Sequence, residues 1–151
     1  MVEKIKHISL LKKTGLPVDQ FALVGGCWFS ILQIRDNNDL DLLVSENLKP
    51  VLHTYFDKLT SAERKMIDNS GKRTAKYLKI SQSKTPSDFL KEHCIRIDGY
   101  LIVKFWIFHE YKKKRGRPKD KKDLKNISKF FREKKHLSEQ FSSFPSNHWT
   151  R

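Results

Sequence analysis

The sequence predicts an α/β or α+β domain, a small mixed sheet with helices packed mainly on one face. Three observations predict it. Phe21-Ala-Leu-Val24 is an apolar run that breaks at Gly25-Gly26, and an apolar segment of helical length then leads to a second apolar run, Asp39 to Val44. Asp98-Gly99 separates two strand-like runs, His93 to Ile97 and Tyr100 to Phe105, which is hairpin spelling. Near the C-terminal end, Leu124, Ile127, Phe130 and Phe131 recur at helical spacing.

In chain order, Val2 to Lys13 reads as a helix with Ile5, Ile8 and Leu11 on one face, ended by Gly15 as a left-handed cap before Pro17. Phe21 to Val24 is a strand, Cys27 to Gln33 a short helix and Asp39 to Val44 a second strand. Another helix opens at Glu46 to Pro50, where a proline is tolerated in the first turn, and its apolar stripe is Val51, Leu52, Tyr55, Phe56 and Leu59. Thr60-Ser-Ala-Glu63 has capping-box spelling, whereas Asn69-Ser-Gly71 looks like a hairpin turn. Residues 61–80 therefore stay open between a helix followed by a strand and a hairpin, with a strand favoured at Ala75 to Ile80. Pro86 and Asp88 open a short helical turn carrying Phe89 and Leu90, and Phe105-Trp-Ile-Phe108 is apolar enough to bury against the sheet. Lys119 to Lys134 is the last helix. Residues 1–137 read as one domain and 138–151, rich in Ser, as a loosely held tail.

At 151 residues the chain can build one real core. A hydrophobic content of 38% against 32% charged excludes a disordered composition. No apolar run reaches the length of a membrane span, and the first residues do not read as a signal peptide. Cys27 and Cys94 stand alone, without zinc-site spacing, so a reducing, cytoplasmic setting is expected. The net charge is +14, and it is concentrated. Tyr111 to Lys135 holds thirteen Lys or Arg against Asp120, Asp123 and Glu133. Such a block suits a nucleic acid or nucleotide partner, the alternative being a solubilising helix face.

Asp39 and Asp41 are two positions apart on a strand, so both carboxylates point one way while Leu40 and Leu42 point into the core. Like charges side by side repel, and each costs desolvation. A hard divalent cation reverses that balance. The alternative is a solvated turn, since Asp36-Asn37-Asn38-Asp39 has turn composition. Gly25 and Gly26 remove side chains where a strand passes into a helix, letting a phosphate approach backbone N–H groups; the alternative is a tight turn that needs positive φ.

Strand, Gly-Gly, short helix, Arg35, then Asp39-x-Asp41 in a hydrophobic strand resembles the nucleotidyltransferase superfamily, in particular its minimal and abortive-infection-type members, relatives of the polymerase-beta palm. Twelve residues separate Gly26 from Asp39, which fits that family's gap. Arg115-Gly-Arg-Pro-Lys-Asp-Lys-Lys-Asp-Leu124 is similar to a second family segment, found where the C-terminal helix begins. The resemblance implies a triphosphate at Gly25 and Gly26 with Ser30 as a further contact, and one or two Mg²⁺ held by Asp39 and Asp41. It also implies Arg35 on phosphate or on a site carboxylate, and Arg117 and Lys119 as cations toward the triphosphate. As plain chemistry, Arg35 can equally be a surface ion pair, and Asp120 and Asp123 suit the first turn of a helix.

The activity implied is transfer of NMP from an NTP to a hydroxyl, with RNA, tRNA especially, as the favoured acceptor and a protein or small molecule as others. Catalytic members usually add a third carboxylate on a neighbouring strand. The strand expected at Ala75 to Ile80 offers Lys76 and Lys79 instead, so Asp98 and then Asp88 are the candidates, although an Asp-Gly turn and a helix cap account for them too. Without a third acid the chain would have a single-metal site or be a degenerate member that binds nucleotide or nucleic acid, as one half of a toxin–antitoxin or phage-defence pair for example. His53, His93 and His109 show no metal spacing. Trp149, in the tail, has the chemistry to stack on a base, the alternative being no role in binding.

Overall fold

A computed structural model describes residues 1–134. The chain divides into two compact units where one domain over 1–137 is expected: Met1 to Val103, and a second beginning at Lys104. The first unit holds one mixed five-stranded sheet with helices around it, the mixed α/β class that the sequence predicts.

The strands are β1 (Phe21–Val24), β2 (Leu40–Val44), β3 (Ile67–Asp68), β4 (Cys94–Ile97) and β5 (Tyr100–Val103), in spatial order β3-β2-β1-β5-β4. β1 runs antiparallel to β2 and parallel to β5, β2 is parallel to β3, and β4 and β5 form the antiparallel hairpin. All four residues of β1 are buried, as a central strand covered on both faces requires. The helices are α1 (Ser9–Thr14), α2 (Cys27–Ile31), α3 (Leu52–Phe56), α4 (Ser61–Arg64), α5 (Gly71–Ser81) and α6 (Pro86–Glu92). α2 packs on β1, and α6 on β2 and β4. Trp28 of α2 is fully buried, and its indole N–H donates to the Val103 carbonyl at 2.8 Å, so the polar end of a large apolar side chain is satisfied.

Three segments depart from expectation. The first helix is split into a 3₁₀ turn, Val2–Lys4, and α1, because His7 sits at φ +74°. There the Lys6 N–H donates to Asn37 Oδ1 and the Lys6 carbonyl accepts from Asn37 Nδ2, exchanging helical bonds for a tie to the loop before β2. The helix after Glu46 is likewise a 3₁₀ turn, Lys49–Val51, followed by the short α3.

The largest correction is at 61–80. The Thr60/Glu63 capping box forms and opens α4, a two-residue β3 follows, and Ala75 to Ile80, expected as a strand, is the middle of α5. Asn69-Ser-Gly71 is no hairpin turn: Asp68 Oδ1 accepts from the Ser70 N–H and the chain turns into the helix. Tyr77 is buried while Lys76 and Lys79 are exposed, the pattern of a helix with one inward face.

The second unit is a helical hairpin of α7 (Phe105–Arg115) and α8 (Pro118–Glu133), with Gly116 between them at φ +61°. Phe105 to Phe108 opens α7, and within this unit the Phe105 ring meets Phe108 and Phe131 edge-on at 5.7 and 5.2 Å. α8 matches the predicted last helix to within a residue at each end, with Pro118 in its first turn. Among the described residues no helix is long and apolar enough to cross a membrane. Lys135, the Ser-rich tail and Trp149 lie outside the described residues.

Candidate active site

Val24, the last residue of β1, pairs in register with Asp41 of β2, so the turn that follows β1 begins beside that carboxylate. Gly25 is at φ +69°, and a methyl group at its Cα would run into Asp41 Oδ2. Both facts demand glycine there. The Gly25 N–H donates to the Tyr77 hydroxyl at 3.2 Å, so α5 holds the turn from the other side. Tyr77 is itself fully buried, with its ring 5.9 Å from that of Phe89.

β3 brings a third acid. In the parallel β2–β3 pair, Asp41 and Asp68 are register partners. Arg73, in the first turn of α5, lies over both: its Nη1 is 3.2 Å from Asp41 Oδ1 and 3.0 Å from Asp68 Oδ2. Asp39, exposed just before β2, adds its field to Asp41. Burial pushes the Asp41 carboxyl up to about 6; Arg73 pulls it down, Asp68 and Asp39 push it further up, and the Gly26 amide pulls it down. A carboxylate pressed by two others is short of positive charge, and such perturbed groups cluster at functional sites.

Among the described residues no group of three His, Cys, Asp or Glu side chains could hold a metal ion by itself. Mg²⁺ does not need such a cage, since it keeps several waters and takes one or two carboxylates together with substrate phosphates. Asp39 and Asp41 supply hard oxygen donors of that kind. Cys27, next to the glycines, is buried, and burial pushes its thiol far up, so it is no nucleophile.

Other predicted residues are engaged elsewhere. Ser30 is buried, and its hydroxyl donates to Asn37 Oδ1 at 2.6 Å and accepts from the Asn37 N–H at 2.9 Å, so it ties down a loop instead of facing a phosphate. The Arg35 guanidinium lies over the Phe29 ring, 4.1 Å from its centroid, and donates to the Asp36 carbonyl. Asp98 is not brought to Asp41. It sits in the β4–β5 turn at φ +49°, and its carboxylate accepts from the Met1 ammonium at 2.8 Å and the Val2 N–H at 3.0 Å. That hairpin lies across β1 from β2. Asp88 is in the first turn of α6, where its N–H is capped by Thr85 Oγ1.

In the second unit, Arg115 forks onto Asp120, with Nε 2.9 Å from Oδ2 and Nη2 2.7 Å from Oδ1. Arg117 at the N-cap of α8 donates to the same carboxylate from its backbone N–H and its Nε. Lys112 reaches Asp123 at 2.8 Å and Asp120 at 3.3 Å. Lys112, Asp120 and Asp123 are all buried. Burial alone would raise the Asp120 carboxyl, but its bonds from Arg115 and Arg117 prevail and hold it well below the usual carboxylate range. Burial likewise lowers the Lys112 ammonium, against the bond from Asp123. The Arg115 to Leu124 segment thus clamps two helices together, and Lys119 points to solvent.

The charge block itself resolves into a face. Lys121, Lys122, Lys125, Lys129 and Arg132 are all exposed. At 100° per residue they share one arc of about 100° on α8, opposite Asp120, Ile127 and Phe131.

Sequence reasoning missed Asp68, Arg73, Tyr77 and Lys112. Tyr77 and Arg73 had a signal, since they are four apart and lie on one face only if 71–81 is helical. Asp68 had almost none, because two residues carry no periodicity, and nothing in Lys112-Lys-Lys-Arg115 marks which cation is buried. No family model matches the chain, and no curated protein and no solved structure matches it either.

Proposed function

We propose that the chain is a Mg²⁺-dependent nucleotidyltransferase that moves NMP from an NTP to a hydroxyl acceptor, with RNA, tRNA especially, as the acceptor class. One observation carries the reading: Asp41 and Asp68 in register on neighbouring strands, with Asp39 in electrostatic reach, against a turn whose glycine backbone touches the Asp41 carboxylate. When bound, Mg²⁺ would offset triphosphate charge and lower the pKa of the acceptor hydroxyl. Asp39 and Asp41 would hold the cation, and Asp68 completes the anionic wall. The Gly25–Gly26 turn has no side chain to keep phosphates at a distance. The acceptor hydroxyl gives its proton to water, its oxygen bonds to the α-phosphorus, and the bond from the α-phosphorus to the bridging oxygen breaks as pyrophosphate leaves.

The exposed Lys and Arg face of α8 supports a polyanionic acceptor, since it presents closely spaced cations to successive phosphates. Free Cys27 and Cys94 agree with the cytoplasm as the setting. The test is incubation of the protein with each labelled NTP, Mg²⁺ and total RNA, beside an Asp39→Ala/Asp41→Ala control. Label on RNA that vanishes in the control is expected; no label on RNA, protein or small molecules with any NTP overturns the proposal.

A second reading has its own observation, the Arg73 guanidinium bridging Asp41 and Asp68, which gives the acids a counter-ion within the chain. On that reading the chain is a degenerate member that binds nucleic acid without turnover, and its affinity would be salt-sensitive and survive the double substitution. Either reading suits one half of a toxin–antitoxin or phage-defence pair with a protein partner.

A further inference from the structure

We propose that Arg73 is a built-in counter-ion of the carboxylate site, one that a divalent cation must displace before Asp41 is free to receive it beside Asp39. The inference rests on the reading of Asp39 and Asp41 as cation ligands and adds to it a competitor held within the chain.

The geometry of the contact carries the argument. Nη1 lies 3.2 Å from the Asp41 carboxylate and 3.0 Å from that of Asp68, yet it is buried and hydrogen-bonded to neither. At that nitrogen the two contacts are ion pairs without the hydrogen-bond geometry that makes Arg–carboxylate forks tight and specific. The same protein uses that fork fully where it builds a permanent clamp, from Arg115 onto Asp120. Position argues the same way. Arg73 follows Lys72 in the first turn of α5, a turn without acids, so two cations sit at the positive end of a helix where they are disfavoured. Neighbouring carboxylates offset that cost.

Access completes the picture. Arg73 and Asp41 keep 19% and 18% of their side-chain surface exposed, and Asp68 keeps 40%. A cation from solution can therefore reach these carboxylates, while Tyr77, one turn further along α5, keeps the Gly25 turn in place. Arginine stays charged at any pH the protein survives, so deprotonation cannot clear the site. A stronger cation can, because a doubly charged ion gains more from the same carboxylates than a guanidinium does.

Mn²⁺ is a suitable probe, since its free concentration is read directly by electron paramagnetic resonance. Full-length wild type, Arg73→Gln, Arg73→Lys and Asp41→Asn would be titrated without nucleotide. Arg73→Gln should bind Mn²⁺ more tightly by about tenfold, the effect of removing a competing ion pair. Arg73→Lys should stay near wild type, and Asp41→Asn should lose the binding. Equal or weaker binding by Arg73→Gln overturns the proposal. So does absence of Mn²⁺ binding by both wild type and Arg73→Gln, which also removes the cation-site reading. Loss of NMP transfer with the affinity shift intact would instead count against the enzyme alone. Should Arg73→Gln not fold, the wild type carries the test: Mn²⁺ should raise phenylglyoxal modification of Arg73, read by peptide mass, and no rise overturns the proposal.

Discussion

Asp41 and Asp120 are both acids drawn out of water, and they are held in opposite ways. Around Asp120, three cations, Lys112, Arg115 and Arg117, serve two carboxylates, and the group is held well below the usual range although burial pushes it up. Around Asp41, Arg73 is shared with Asp68 while Asp39 adds its charge nearby, burial prevails, and the carboxyl is pushed up to about 6. Desolvation has the same sign in both places, so the supply of counter-charge decides the outcome. A surplus of cations makes a structural clamp, and a shortage makes a place that a cation from solution would relieve. The contrast is the pattern expected when stability is given up locally for a function.

The largest expected effect breaks the clamp. Asp120→Asn would take from Arg115 and Arg117 the carboxylate they share and leave Lys112 to Asp123, and removing one member of a buried ion network costs roughly 3–5 kcal/mol. Urea unfolding of the full chain checks this, and a loss under about 1 kcal/mol would show that the network is not structural. Next, Gly25→Ala should cost about 2–3 kcal/mol, combining positive-φ strain with the collision against Asp41. At Gly99, where φ is +87° but nothing lies within 4 Å, alanine should cost only about 1 kcal/mol by the same measurement.

Asp41→Asn sharpens the comparison from the other side. It should leave the fold as stable or raise it by about 1–2 kcal/mol at neutral pH, the relief of desolvation, with that of repulsion from Asp68 and Asp39, exceeding the loss of the Arg73 contact. It should at the same time abolish NMP transfer. An Asp41→Asn protein that is destabilised like Asp120→Asn would erase the distinction between the two clusters.

The smallest effect is with pH. The folded-state value of Asp41, about 6, lies above its ordinary 3.8, so the folded chain binds the proton more strongly. Stability should therefore rise as pH falls from 7 toward 5, by about 1 kcal/mol. Asp120, lowered from 3.8, contributes stability that is fully present above that value and is lost only at more acid pH. Melting temperatures at pH 7 and pH 5 would show the rise in wild type and its absence in Asp41→Asn.

Local chemistry made several parts of this molecule legible from the chain alone. The α/β class, the Asp98-Gly99 hairpin, the capping box at Thr60 and the long amphipathic α8 each follow from neighbours within a turn or two. What lay beyond reach depends on residues far apart in the chain. A strand of two residues has no period, so Asp68 acquires meaning only through its register with Asp41. Ala75 to Ile80 is too short and mixed to choose between strand and helix, and the helix places Tyr77 on the Gly25 turn. Asp98 and Ser30 had suitable chemistry, but their bonds went to the N-terminus and to Asn37, partners that no local pattern announces. The sequence by itself determined the mixed class, the elements with a strong local signal and which acids are available. Tertiary structure decided which acids meet and whether each finds a counter-ion, because ion pairing acts through space and burial, and neither is written in sequence spacing.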